Sequence, residues 1–314
     1  MKRRYVTADV FTDDMFGGNP IAVVLDAEGL STAQMQALAM EFNYSETTFV
    51  LPPHDAAHTA RVRIFTPRTE VPFAGHPNIG TAFLLAREGR SRGEPVQKPF
   101  VFEEAAGAVR ITLLNQDGDI VGAELRAPEA LTRRSVVTRD HAASCLSLEP
   151  DDIAMAVHPP QVVSVGLPFL VVELRSRETL RCAKPNLQAY ESLLPLDGAD
   201  SVFAYVREAV SAHRTNETVI QARMFSPMDG IVEDPATGSA AAAMIALLTT
   251  LDQHPATDRR WRIHQGVDMG RPSLLLGRST TDAEGQVAVD IGGRCVAVLE
   301  GVVELVDRPS AGLG

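Results

Sequence analysis

The sequence predicts an α/β protein of two similar halves that arose by internal duplication, with a functional cleft between them. Three observations predict it. First, RVRIFTPRTEVPFAGHPNIGTAFLLA (61–86) returns as QARMFSPMDGIVEDPATGSAAAAMIA (221–246). Arg63, Phe65 and Pro67 match Arg223, Phe225 and Pro227 at an offset of 160. Pro77, Gly80, Thr81 and Ala82 match Pro235, Gly238, Ser239 and Ala240 at an offset of 158. Second, GGNPIAVVL (17–25) resembles VGLPFLVVEL (165–174), and SETTFVL (45–51) resembles DSVFAYV (200–206). Third, strand-like and helix-like segments alternate in the same order in both halves. Strand-turn-helix units converge on Pro and Gly for steric reasons, but several echoes in one order point to duplication.

In chain order, VTADVF and IAVVL read as strands, with β-branched residues and period-2 stretches. Ser31 to Gln34 form a capping box, which opens a helix to about Phe42. Residues 46–51 and 60–65 are again strand-like, and a helix follows Pro77. Residues 97–126 read as a strand meander with a turn at 115–119. The second half repeats the order, with strands near 161–174, a helix near 184–193, strands near 201–207 and 217–225, and a helix from about 236. Residues 258–306 return to short strands broken by Gly and Pro. Polar and turn residues at 126–136 separate the halves. They place an N-terminal domain at 1–128, a C-terminal domain at 129–306 whose last strand can return to the first, and a fraying tail at 307–314.

Composition narrows the function. The chain has 314 residues, 45% hydrophobic and 22% charged, which suits a protein with sizeable cores. Its net charge of −11, with no long basic run, argues against nucleic acid or an anionic membrane as partner. The basic start has no apolar stretch behind it, so no secretory signal is read and a cytoplasmic setting is expected. Ala240 to Leu248 is too short to span a bilayer and reads as a buried helix. Cys145, Cys182 and Cys295 are odd in number and widely spaced, outside any metal-ligand pattern. No metal site and no dinucleotide fingerprint is expected, because GGNP and AGH are too short for the latter.

The chemistry concentrates at the two repeated turns. In each, a Gly-(Thr/Ser)-Ala step is expected to open a buried helix. The free N–H groups of a helix start favour an anion such as a carboxylate, and Thr81 or Ser239 can add a hydroxyl donor. Just before the two prolines stand His76 and Asp234. A pseudo-twofold would set them face to face, where a carboxylate orients an imidazole or holds its charge. Read alone, His76 is a satisfied loop histidine and Asp234 a helix-cap carboxylate. Glu46 is the third candidate. An inward-facing carboxyl at the edge of an apolar segment is desolvated and its pKa raised, which suits it to take and return a proton. The plain alternative is an exposed strand-end glutamate. Glu233 is left without a role, as an exposed neighbour of Asp234.

DVFTDDMFGGNPIAVV (9–24), NYSETTFV (43–50), FTPRTEVPFAGHPNIGTA (65–82), EDPATGSA (233–240) and QGVDMGRPS (265–273) together resemble the PhzF-like family of phenazine biosynthesis. The resemblance implies a diaminopimelate-epimerase-like fold, two similar α/β domains each with a sheet or barrel wrapped around a central helix. It implies an isomerase that moves a proton on a small carboxylated, cyclic substrate without cofactor, as trans-2,3-dihydro-3-hydroxyanthranilate isomerase does. By motif, Glu46 would shuttle the proton, with His76 and Asp234 beside it in the catalytic group. Gly75, Asn19, Gly238 and Ser239 would bind substrate. Relatives of this fold that racemise amino acids carry a cysteine pair at these turns, whereas here His76 and Asp234 stand there. A homodimer is also implied. The alternatives are a lyase or dehydratase on the same scaffold, and a non-catalytic small-molecule binder.

Overall fold

Alternating apolar residues dictate the strands, and the duplicated pattern dictates how they pair. The computed structural model describes residues 1–93, 99–208, 217–252 and 257–305. The first half contains β1 (Lys2–Val10), β2 (Asn19–Val24), α1 (Thr32–Phe42), β3 (Glu46–Leu51), β4 (Ala60–Phe65), β5 (Glu70–Val71), α2 (Gly75–Ser91), β6 (Phe100–Glu104), β7 (Gly107–Gln116) and β8 (Asp119–Arg126). The rest contains β9 (Thr132–Val136), α3 (Arg139–Cys145), β10 (Gln161–Ser164), β11 (Pro168–Glu173), α4 (Arg177–Cys182), α5 (Leu187–Leu193), β12 (Val202–Arg207), β13 (Glu217–Ser226) and β14 (Ile231–Asp234). It ends with α6 (Gly238–Leu251), β15 (Asp258–Gln265), β16 (Ser273–Thr281) and β17 (Val287–Glu304).

The duplication is visible in the pairing. β1–β2 is antiparallel, β2–β3 parallel, β3–β4 antiparallel and β4–β6 parallel, and β6, β7 and β8 follow antiparallel. β10–β11, β11–β12, β12–β13, β13–β15, β15–β16 and β16–β17 repeat those senses step for step. The closing strands are exchanged. After β8 the chain passes into β9, which pairs with β10; β17 leaves β16 and runs on along β1. β17 also pairs with β8, so the first half closes as an eight-stranded barrel. A closed barrel removes the exposed edges that invite aggregation.

α2 and α6 are the central helices of the two halves. Ile79, Ala82, Phe83 and Leu84 of the one and Ala240 to Leu248 of the other lie in one continuous core. Alanines 240–243 let sheet and helix approach closely, and each is essentially inaccessible. α1 caps one flank with Met35, Leu38 and Ala39, and α3 and α5 cover the other. The capping box on α1 forms as expected, with Ser31 accepting from the Gln34 amide. Among the described residues no helix is long and apolar enough to cross a membrane.

Four local expectations change. The helix read near 184–193 is α5, which starts only at Leu187 behind its cap Asn186, and a separate short helix, α4, precedes it unread. Residues 258–304 form three long strands rather than short broken ones. Gly292 does not break β17 because it serves a close approach: a Cβ there would overlap the Ala123–Glu124 backbone where β17 crosses β8. α2 opens at Gly75, before Pro77, so Gly80 and Thr81 lie in its second turn. Thr81 is buried and shares a 2.8 Å hydrogen bond with Thr48, so it offers no hydroxyl to the cleft. The tail read at 307–314 lies outside the described residues.

Candidate active site

A cavity of about 780 Å³ opens between the halves, and Glu46, Gly75, His76, Asp234, Gly238 and Ser239 all line it. Topology brings them there. Glu46 begins β3 beside Ile21 of β2, and its counterpart in the second half is Ser201, just ahead of β12. His76 lies in the first turn of α2, and Asp234 ends β14 just ahead of α6. Gly75 borders open space, since a Cβ there would meet no atom within 4 Å.

Glu46 and His76 face each other, with His76 Nε2 3.5 Å from Glu46 Oε2. Both atoms are inaccessible and have no hydrogen-bond partner. Burial, with the Asp234 charge adding to it, pushes the Glu46 carboxyl up to about 8. Burial lowers His76 to about 3 and outweighs its hydrogen bond to the Pro20 carbonyl. The imidazole is therefore neutral at pH 7, so of the two roles the sequence offered a neighbouring carboxylate, holding the charge or orienting the ring, the first falls away. With Nε2 unpartnered, Nδ1 is the nitrogen that donates to Pro20, so a bare Nε2 faces a largely protonated Glu46. A carboxyl near neutral pKa beside a neutral base passes a proton in either direction at little cost.

Asp234 is differently held. Asn19 Nδ2 donates to its Oδ1 at 2.9 Å, and the Thr237 hydroxyl donates to its Oδ2. Burial still raises it to about 6, against the lowering by hydrogen bonds from Thr237, Asn19 and Ser45. Gln265 completes the frame: its Nε2 donates to the Asp234 carbonyl at 2.9 Å and to Thr237 Oγ1 at 3.0 Å, and its Oε1 accepts from the Thr237 amide at 3.1 Å. Asn19 is fully buried, donates also to the Ala236 carbonyl, and stands behind Asp234 rather than among the lining residues.

Glu233 is not the exposed neighbour expected from the sequence. Its carboxylate takes a two-pronged contact from Arg223 at 2.8 and 2.7 Å, with side chains 11% and 10% exposed. Arg63 grips Glu70 in the same way at 2.7 and 2.6 Å. Each guanidinium also lies over the Phe two residues on, 5.1 Å from the Phe65 ring and 4.8 Å from the Phe225 ring. The repeated Arg-x-Phe is thus a fastener for the β4–β5 and β13–β14 hairpins. Thr237 and Gln265 escaped the sequence reading, although Gln265 opens the quoted QGVDMGRPS. Among the described residues no group of three or more His, Cys, Asp or Glu side chains is arranged to hold a metal ion.

Residues 8–301 match the family described as phenazine biosynthesis-like protein. An uncharacterized isomerase of Mesorhizobium japonicum is 38% identical, over 95% of this chain and 98% of its own. Trans-2,3-dihydro-3-hydroxyanthranilate isomerase of Pseudomonas aeruginosa is 34% identical, again over 95% of this chain and 98% of its own. The crystal structure of a PhzF-family phenazine biosynthesis protein from Bacillus anthracis superposes with a TM-score of 0.84 at 26% identity, covering 97% of this chain and 100% of that one. With the repeated topology above, this is the diaminopimelate-epimerase-like fold expected from the sequence.

Proposed function

The chain belongs to the phenazine biosynthesis-like family and is an isomerase, and on that premise we propose that it moves a proton on a small, cyclic, carboxylated substrate by way of Glu46. The observation that carries this reading is the unpartnered Glu46 carboxyl on the cavity wall, raised to about 8 and 3.5 Å from a neutral imidazole. The ionised fraction takes a proton from a substrate carbon. The same carboxyl, now neutral, exchanges its proton with solvent and delivers one to another carbon of the same molecule, so there is no net consumption of protons. His76 Nε2 keeps the carboxyl proton oriented between turnovers. The free N–H groups at the start of α6, with the Ser239 hydroxyl, seat the substrate carboxylate, and Gly75 lets the other wall approach. Asp234, pinned by Asn19 and Thr237, fixes the edge of the cavity next to that seat.

The test is incubation of trans-2,3-dihydro-3-hydroxyanthranilate and related cyclic carboxylates in deuterated water, followed by mass spectrometry. The expected product has the mass of the starting compound plus deuterium at one carbon, with no loss of water. Product lighter by one water would instead identify a dehydratase and overturn the reading.

A further inference from the structure

The cavity walls are poor in positive charge. Asp200, Asp234 and Glu46 line it, and Arg68 is the one Lys or Arg among the described lining residues. His76 adds no charge, because burial lowers it to about 3. At about 780 Å³ the cavity falls within the size range of pockets that hold drug-sized ligands, about 300–1,000 Å³. That is room well beyond one six-membered ring.

The duplicated fold places Arg68. Thr47 pairs with Phe65, so the turn at 66–69, closed by the Thr66 amide donating to the Thr69 carbonyl at 2.9 Å, begins beside Glu46. Val202 pairs with Phe225, so the equivalent turn at 226–230 begins beside Ser201. The two turns meet over the cavity. Arg68 reaches from the first to Gly230 of the second, where a Cβ would lie 2.5 Å from its Nη2 and 3.0 Å from its Cζ. Gly230 has φ +83°, so this position both needs glycine and leaves the guanidinium its space. Arg63, Arg223 and Arg271 are each bonded to a carboxylate. The exposed Arg68 guanidinium has no hydrogen bond or ion pair among the described residues.

Resting on the carboxylate-isomerase reading above, we infer that Arg68 is a specificity-determining residue, and that the native substrate carries a second acidic group which Arg68 reads from the roof of the cavity. One carboxylate sits at the start of α6 and the other pairs with Arg68, and the carbon skeleton between them lies against Glu46. A guanidinium presents two parallel N–H donors to a carboxylate, which fixes direction as well as charge. The acidic walls sharpen the selection, since a second anion is tolerated only where Arg68 neutralises it.

The test is calorimetric titration of isophthalate and terephthalate, each against its neutral-ended monoamide of the same shape, into wild type, Arg68→Gln and Arg68→Lys. At least one dicarboxylate is expected to bind wild type about 10- to 100-fold tighter than its monoamide. Arg68→Gln should bring the pair within about threefold without changing the monoamide, and Arg68→Lys should keep part of the preference. The preference should also shrink with added salt, because Arg68 is exposed. A wild type that shows no preference for either dicarboxylate, or a preference that survives Arg68→Gln, overturns the inference. Either result leaves proton transfer by Glu46 standing, since that is read independently by deuterium incorporation.

Discussion

The two turns that open toward the cavity have one ancestry and one topology, yet their polar groups are treated in opposite ways. In the second half, Asp234 accepts from Asn19, Thr237 and Ser45, and Gln265 braces the frame. In the first half, Glu46 Oε2 and His76 Nε2 are equally hidden and have no partner. The difference teaches how a duplicated scaffold divides labour. A satisfied carboxylate is fixed, and its worth is shape. An unsatisfied one keeps its desolvation penalty, and that penalty brings its pKa near neutrality, where proton transfer is easiest.

The strongest way to break this comparison is Glu46→Gln. It keeps the shape and removes the proton carrier, so kcat should fall about 10³-fold while ligand affinity stays within about threefold. Activity within tenfold of wild type would mean that Glu46 is only another wall residue. The hairpin fasteners make a second contrast, read by denaturant unfolding. Arg223→Ala leaves Glu233 charged and nearly buried and should cost about 3–5 kcal/mol. Arg63→Ala frees a pair that is 26% and 35% exposed and should cost less than about 1 kcal/mol. Equal costs would show that burial does not distinguish the two.

A third contrast is stability against pH. The folded Glu46 carboxyl is raised from 4.5 to about 8, so between these values the native state binds more protons than the unfolded chain. Its contribution is fully present below about 4.5 and is lost as pH rises through about 8. Wild type should therefore lose about 2–3 kcal/mol relative to Glu46→Gln between pH 5 and pH 9. This is less than the full shift implies, because the side chain is 19% exposed to the cavity. Parallel stability curves would remove the basis for a raised carboxyl. A smaller effect than that of Glu46 is expected from Thr237→Val, which deletes one donor to Asp234. Its carboxyl should move above about 6 by NMR titration, and stability should fall by about 1 kcal/mol. An unmoved Asp234 would show that Asn19 and Ser45 suffice.

Much of this was legible in the chain because it is encoded locally. Apolar alternation marked β3 and β4 at their observed bounds, and Ser31 with Gln34 marked the start of α1. The paired motifs marked the duplication, since strands and turns fixed by a few neighbouring residues keep their order through sequence drift. They also drew His76 and Asp234 into one site, to which the family resemblance added Glu46. Only the tertiary structure decided what those groups are. Asn19 reaches Asp234 across 215 residues of chain, and β17 closes the barrel on β1. Glu233 was taken for a bystander because its partner Arg223 lies on the preceding strand, where a pairing register rather than a spacing sets the contact. The protonation states of Glu46 and His76 have the same origin. Desolvation depends on everything folded around a group, and no stretch of sequence contains its own surroundings.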